Sequence, residues 1–472
     1  MGSRELLEHR KPFEDLEAEV LRRHHAAPRD LGPKLYDGLR YVLNFAKLTV
    51  VRDVEGHDHD LSDALRPHAF RVREAMERAL SPKEDGLWAA VRELPDLVHA
   101  TRTLRRQLRE HMVIDRESLD AEVCTRKLVL VLGGGGGAGY GYSGIFTSLH
   151  RNDLEPSLIC GTSIGALMGL FRARSRAYDA ALLQEANRRL QWNDLFHIGP
   201  EESRYGLPAT LRVHLRHVLG DFFRLSEGRV ATISELPIPV RVVATGLTVD
   251  ALRHELSYYE HFLDDVIRPG LIFRTSRLTK LGSLAQIFRE LSANPQALRE
   301  VVFGLDPGTE DMDCLDCAGF SASVPGLLHY DIHREDERMK HMLDRLYADR
   351  GITRLTEGGV VNNVPARIGF KVAMDGTLGG RRNVCIVAVD CFRPRPTSLM
   401  FYPLQQIARA NVVKNIPYAN VFLQLQRTLS PANLVPKMHQ VAEAARWASE
   451  ELEPSMPLMT ELCRPFEALR EE

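Results

Sequence analysis

The chain has 472 residues and a mass of 53.2 kDa, room for several domains or for one large core with additions. Its 44% hydrophobic and 26% charged residues are those of a globular protein and exclude disorder as the main state. Lys and Arg number 61 against 63 Asp and Glu, a net charge of −2, so there is no global basic field to hold nucleic acid.

The first sixteen residues contain no apolar signal core, and no secretory signal is expected. Residues 1–124 read as helical. Leu6, Leu7, Phe13, Leu16, Val20 and Leu21 recur at helical spacing, and Leu35, Leu39, Val42, Leu43 and Ala46 repeat the pattern. Segments 61–80 and 87–112 look the same. His57-Asp58-His59-Asp60 has no further ligand set nearby and reads as a solvated loop, not a metal site. Arg102, Arg105, Arg106 and Arg109 form a basic helix face, read as solvated or partner-facing.

From about residue 125 the texture changes. Apolar runs at Lys127–Leu132, Ser157–Cys160, Pro239–Ala244 and Asn383–Asp390 are short, rich in β-branched residues and flanked by glycine or polar turns. Strands buried on both faces of a sheet have this composition. Helical patterns lie between them, most clearly Ile164–Leu190. The alternation predicts an α/β fold with a mainly parallel central sheet.

Leu128 to Leu149 is a run of 22 uncharged residues, long enough to suggest a membrane span. Eight of the 22 are glycines, and at about 1 kcal/mol each relative to alanine they argue against any helix there. The segment reads as a strand running into the loop Gly133-Gly134-Gly135-Gly136-Gly137-Ala138-Gly139, whose consecutive N–H groups suit an anion. A P-loop is excluded because no lysine occurs between Lys127 and Lys280. Gly134-x-Gly136-x-x-Gly139 matches a dinucleotide fingerprint, but the acid expected about 20 residues on is missing. The next strand ends instead in Gly161-Thr162-Ser163-Ile164-Gly165, a G-x-S-x-G turn opening a helix. Such a turn lifts a serine hydroxyl to the positive end of a helix, as a nucleophile requires. An oxyanion hole in the glycine loop, serving Ser163, is the reading that uses both motifs.

Segment 255–304 is an insertion between strands and reads as core packing, with a lid or lipid-contacting surface as the functional alternative. Cys314-x-x-Cys317 lies in an acidic loop (Asp306, Glu310, Asp311, Asp313, Asp316) that matches neither zinc nor calcium spacing and reads as solvated surface. The seven cysteines are odd in number and irregularly spaced, which favours a reducing compartment. Further on, Leu355-Thr356-Glu357-Gly358-Gly359-Val360-Val361-Asn362-Asn363-Val364-Pro365 is a strand ending in an acid, then a glycine turn, then a helix start. After about 396 the chain reads as helical, cut short by prolines.

Together these motifs resemble the patatin-like phospholipases. The glycine loop, G-x-S-x-G about 27 residues later, Ser321-Ala322-Ser323-Val324-Pro325-Gly326 and the Gly358–Pro365 motif stand in the family order over about residues 125–395. The resemblance implies a three-layer α/β/α catalytic domain at 125–395, flanked by helical regions at 1–124 and 396–472. It implies a Ser163–Glu357 dyad acting without histidine, an oxyanion hole of Gly134, Gly135 and Gly136, and no metal or organic cofactor. It also implies phospholipid or lysophospholipid acyl esters as substrates at a membrane surface; with the reducing compartment that the cysteines favour, the protein is expected to be cytoplasmic, with peripheral membrane association. Two departures stand out: the family acid is aspartate where this chain has Glu357, and a basic residue is usual where it has Ala138. Three other readings are a Ser163–Asp390–His439 triad of the α/β-hydrolase type, an acyltransferase, and a binding or scaffold protein on a retired catalytic core. The acyltransferase reading lacks the histidine expected inside the elbow, where Thr162 and Ile164 stand.

Overall fold

The computed structural model describes residues 2–27, 31–83, 86–112, 114–198, 203–249, 294–394 and 402–470. The strands among them are β1 (Val50–Arg52), β2 (Asp58–Asp60), β3 (Lys127–Leu132), β4 (Pro156–Thr162), β5 (Phe196–Ile198), β6 (Ala209–Val213), β7 (Val240–Leu247), β8 (Leu298–Phe303), β9 (Gly326–His329), β10 (Arg354–Thr356), β11 (Val384–Asp390) and β12 (Val421–Gln424). The central sheet runs β10-β7-β4-β3-β11-β12, with β8 also paired to β7. The pairs β7–β4, β4–β3, β3–β11 and β11–β12 are parallel, while β8 and β10 lie antiparallel to β7.

The sheet is covered on both faces, which explains the unbroken apolar runs. Leu128, Leu130 and Leu132 of β3 pack into one layer with Phe146 and Leu170. Val129 and Val131 point the other way, to Ile368, Phe370 and Val372 of the helix Ala366–Met374. Successive side chains of a strand face opposite sides, so a run without polar interruption is what two apolar layers demand. The result is an α/β fold of three layers.

One feature of the register assembles the site. β4 occupies one edge of β7 up to the pair Thr162↔Val243, and β10 occupies the same edge from Thr356↔Thr245 onward. The two strands run in opposite directions and stop head to head, two residues of β7 apart, roughly 7 Å at strand rise. Ser163 and Glu357 are the next residues of each.

The helices Ser3–Ala26 and Pro33–Ala46 meet the opposite end of the sheet through buried charge. Arg126, just before β3, pairs with Glu17 and donates to Asn44 Oδ1 at 2.8 Å, while Arg40 donates to Glu17 at 3.2 Å. Breaking one partner of such a buried set costs about 3–5 kcal/mol, so these helices are fastened to the strand that carries the glycine loop.

Several expectations need correction. The Ile164–Leu190 pattern is two helices, Ile164–Ala173 and Ala180–Arg189, the second capped by Asp179 accepting from the Leu182 N–H. The glycine-rich run is not free of helix: it forms a 3₁₀ turn at Gly136–Gly141 and enters the helix Tyr142–Arg151. Gly144 is tolerated there because a Cβ would fall 1.9 Å from the Ala445 carbonyl, so backbone contact replaces a side chain. His57–Asp60 is no loop but part of the β1–β2 hairpin, where Asp58 pairs with Arg52 and Arg382, and His59 with Asp53. Arg105 is buried against Tyr41 and Asp120. The acidic stretch is only partly surface: Asp313 and Asp316 are buried and paired with Arg216, Arg334 and Arg338. Residues 396–472 are not purely helical, because β12 extends the sheet. Of the 255–304 insertion, 255–293 lies outside the described residues, and Leu298–Phe303 is β8.

Candidate active site

Ser163 sits in the turn between β4 and the helix Ile164–Ala173 with φ 55° and ψ −127°. A non-glycine residue in that region costs on the order of 1–3 kcal/mol and persists only when its surroundings impose it. They do so here. The Ser163 N–H donates to Ser321 Oγ at 2.7 Å, and that hydroxyl donates to the Val243 carbonyl at 2.6 Å. Thr162 Oγ1 donates to the Asn362 carbonyl at 2.9 Å. A Cβ on Gly165 would lie 2.3 Å from the Leu132 carbonyl, so only glycine lets the helix start against the end of β3.

Glu357 is held just as firmly. Its N–H donates to the Ser323 carbonyl at 3.0 Å, and its carbonyl accepts Thr245 Oγ1 at 2.7 Å. The longer side chain folds back, with Oε1 accepting the Gly359 N–H at 3.3 Å. Burial pushes the carboxyl from its ordinary 4.5 up to about 8, against the opposite pull of the Ser163 hydroxyl and the Gly359 N–H. Oε2 is buried and has no hydrogen-bond partner among the described residues.

Gly134 separates the two. A Cβ there would stand 3.1 Å from Ser163 Cβ, 3.4 Å from Glu357 Oε1 and 2.7 Å from Asn363 Oδ1. The absent side chain is thus the space between serine and acid.

The glycine loop's polar groups can be accounted for one by one. Gly133 N–H donates to the Val389 carbonyl at 3.0 Å, and Gly134 N–H to the Asn363 carbonyl at 3.1 Å. Gly137 N–H donates to the Pro431 carbonyl at 3.0 Å, and Ala138 N–H to the Gly135 carbonyl at 3.2 Å. Among the described residues the N–H groups of Gly135 and Gly136 have no such partner. Of the three glycines expected to serve an oxyanion, Gly134 therefore already spends its donor, holding the loop to the Asn363 turn.

The rival triad does not assemble. Asp390, at the end of β11, accepts the Phe392 N–H and Gln424 Nε2, both at 2.9 Å. His439 is exposed on the helix Met438–Leu452. Cys314 and Cys317 are buried thiols within the helix Cys314–Ser321.

Sequence reasoning missed the supporting residues. The Ser321–Ser323 segment was visible as a motif, but not as the clamp on both Ser163 and Glu357. Asn363 was visible as a motif position, but not as the residue whose carbonyl anchors Gly134. No helix among the described residues is long and apolar enough to cross a membrane.

A comparison with curated proteins finds none that matches. The family model for the patatin-like phospholipases matches residues 130–370, just over half of the chain, and spans the glycine loop, the serine turn and the acid turn. Its members are in general hydrolases of lipid esters. The chain belongs to the patatin-like phospholipase family.

Proposed function

We propose that the protein is a lipid acyl hydrolase that cleaves the acyl esters of phospholipids or lysophospholipids through a Ser163–Glu357 dyad. The observation that carries this is geometric: the buried Glu357 carboxyl shares with a strained serine the space left by Gly134, and its burial pushes it up to about 8. A carboxylate in such a site is a strong base that still ionises near neutral pH, the range a general base needs.

In this reading the ionised Glu357 takes the Ser163 hydroxyl proton as Oγ attacks the ester carbonyl carbon. Negative charge then gathers on the carbonyl oxygen, where the Gly135 and Gly136 N–H groups stabilise it. Collapse expels the alcohol, which takes its proton from Glu357, and leaves an acyl-serine. Water, deprotonated by the same carboxylate, hydrolyses that ester and returns the serine. No step calls on a metal, a cofactor or a histidine.

Family membership supports a lipid ester as substrate, the phospholipid class and a membrane-surface setting are part of this proposal, and the cysteine spacing supports a reducing compartment such as the cytoplasm. We further propose that 125–395 carries the chemistry, while 1–124 and 396–472 brace it. A scaffold or lipid-binding reading draws on the same carboxyl, which at pH 7 is mostly protonated. Turnover of a lysophospholipid and of a short-chain ester, compared between wild type and Ser163→Ala, separates the two. Hydrolysis lost in the variant supports the enzyme; no hydrolysis by wild type from pH 6 to 9 supports the scaffold.

A further inference from the structure

The glycine loop has a second face, away from the serine. There Cys391, the residue after β11, lies buried with Sγ 3.4 Å from the Gly134 carbonyl and 4.0 Å from that of Gly133. The Tyr142 hydroxyl, 3.2 Å from the same sulfur, donates to the Gly133 carbonyl at 2.7 Å. Tyrosine and cysteine thus meet two successive carbonyls, and the thiol stands closer to that of Gly134 than to that of Gly133. The two faces are set apart by the glycines themselves. A Cβ on Gly134 would point at Ser163 and Glu357, whereas one on Gly135 would fall 2.7 Å from Cys391 Sγ.

In a trans peptide the C=O and the following N–H point in opposite directions. A thiol that holds the Gly134 carbonyl therefore turns the Gly135 N–H away from itself, toward the side where Ser163 lies. If this peptide rotated, the carbonyl would take the donor's place, and a lone pair would face the developing oxyanion. Its neighbours are already pinned: Gly134 N–H by Asn363, Gly135 C=O by Ala138, and Gly137 N–H by Pro431. The Gly133–Gly134 peptide is held by Tyr142 at its carbonyl and by the Asn363 carbonyl at its N–H, whereas the Gly134–Gly135 peptide is held, among the described residues, through its carbonyl by the Cys391 thiol.

We propose that Cys391 is a positioning residue for the oxyanion hole: its thiol fixes the Gly134–Gly135 peptide so that the Gly135 N–H faces the reacting carbonyl. Cys391 lies beyond the 130–370 stretch that matches the family. The proposal rests on Ser163 being the nucleophile.

Three variants of the full chain test it. Cys391→Val keeps the volume without a donor, Cys391→Ala gives up both, and Cys391→Ser keeps a donor. Removing one oxyanion donor outright typically costs about 10²–10³ in rate, and a donor left free to turn part of the time should cost about tenfold. Cys391→Val and Cys391→Ala should thus lose about tenfold in kcat with KM within about twofold, and react more slowly with a fluorophosphonate. Cys391→Ser should stay within about threefold of wild type, because its hydroxyl still donates to the carbonyl. Thermal denaturation checks that each variant is folded; where Cys391→Ala is not, Cys391→Val against Cys391→Ser decides. Wild-type kcat in Cys391→Val, or a fall in Cys391→Ser as deep as in Cys391→Val, overturns the proposal while leaving the dyad standing. A wild type that neither turns over ester nor is labelled at Ser163 removes both.

Discussion

Replacing Glu357 by glutamine separates the chemistry of the site from its stability. The folded carboxyl binds its proton up to about pH 8, whereas the unfolded chain releases it near 4.5. The folded state therefore holds the proton more tightly, and the stabilisation this gives is complete below about pH 4.5. It is lost as pH rises toward 8, at about 1.4 kcal/mol per pH unit, on the order of 5 kcal/mol over the interval. Glutamine has no proton to lose and fills nearly the same volume. Glu357→Gln should accordingly track wild type at pH 5 and become progressively more stable than it from pH 5 to 8. Denaturant unfolding at pH 5, 6, 7 and 8 measures the difference. The same titration governs turnover with the opposite sign: wild-type kcat/KM should rise with pH through about 8 as the base ionises. The variant should be inactive throughout. Stability curves that stay parallel across the pH range, or turnover in the variant within about tenfold of wild type, would rule out Glu357 as a buried, titrating base.

Further expectations follow from the same geometry. Gly134→Ala places a methyl 2.7 Å from Asn363 Oδ1 and 3.1 Å from Ser163 Cβ; ester turnover should fall by about 10²-fold or more, and wild-type rates would show the space is not used. Ser163→Gly should be more stable than Ser163→Ala by about 1 kcal/mol in denaturant, since only glycine occupies φ 55° without strain; the reverse order would deny the strain. Ser321→Ala leaves the Ser163 N–H and the Val243 carbonyl without their shared partner, so it should cost about 1–3 kcal/mol of stability and slow labelling of Ser163. Glu357→Asp should be slower than wild type in an ester assay, because the Gly359 N–H is placed to hold the longer side chain; a faster variant would mean that site geometry still suits aspartate.

What could be read from the sequence was whatever burial writes into composition. β3 and β11 are enclosed on both faces and appear as unbroken apolar runs, and the serine turn announces itself because two glycines and a serine must stand between a strand and a helix. β12 was missed because only Val421 of its four residues is fully buried, so it leaves no apolar run. β10 was legible as a strand end but not in its direction, since three residues carry no sign of parallel or antiparallel pairing; its head-to-head meeting with β4 is a property of the register alone. A glycine string shows that backbone donors are exposed but not which ones stay free. That was settled by carbonyls far along the chain, Asn363 for Gly134 and Pro431 for Gly137. Glu357 could be named as the candidate acid, yet the turn of its side chain onto Gly359 is visible only in three dimensions.

The most direct measurement is the reaction of the full chain with a fluorophosphonate at pH 8, read by intact mass and by mapping of the modified peptide. A Ser163–Glu357 dyad gives one adduct per chain, on Ser163, absent from Ser163→Ala and much slowed in Glu357→Gln. An adduct that persists in Ser163→Ala, or a wild-type chain that stays unmodified while folded, would contradict it.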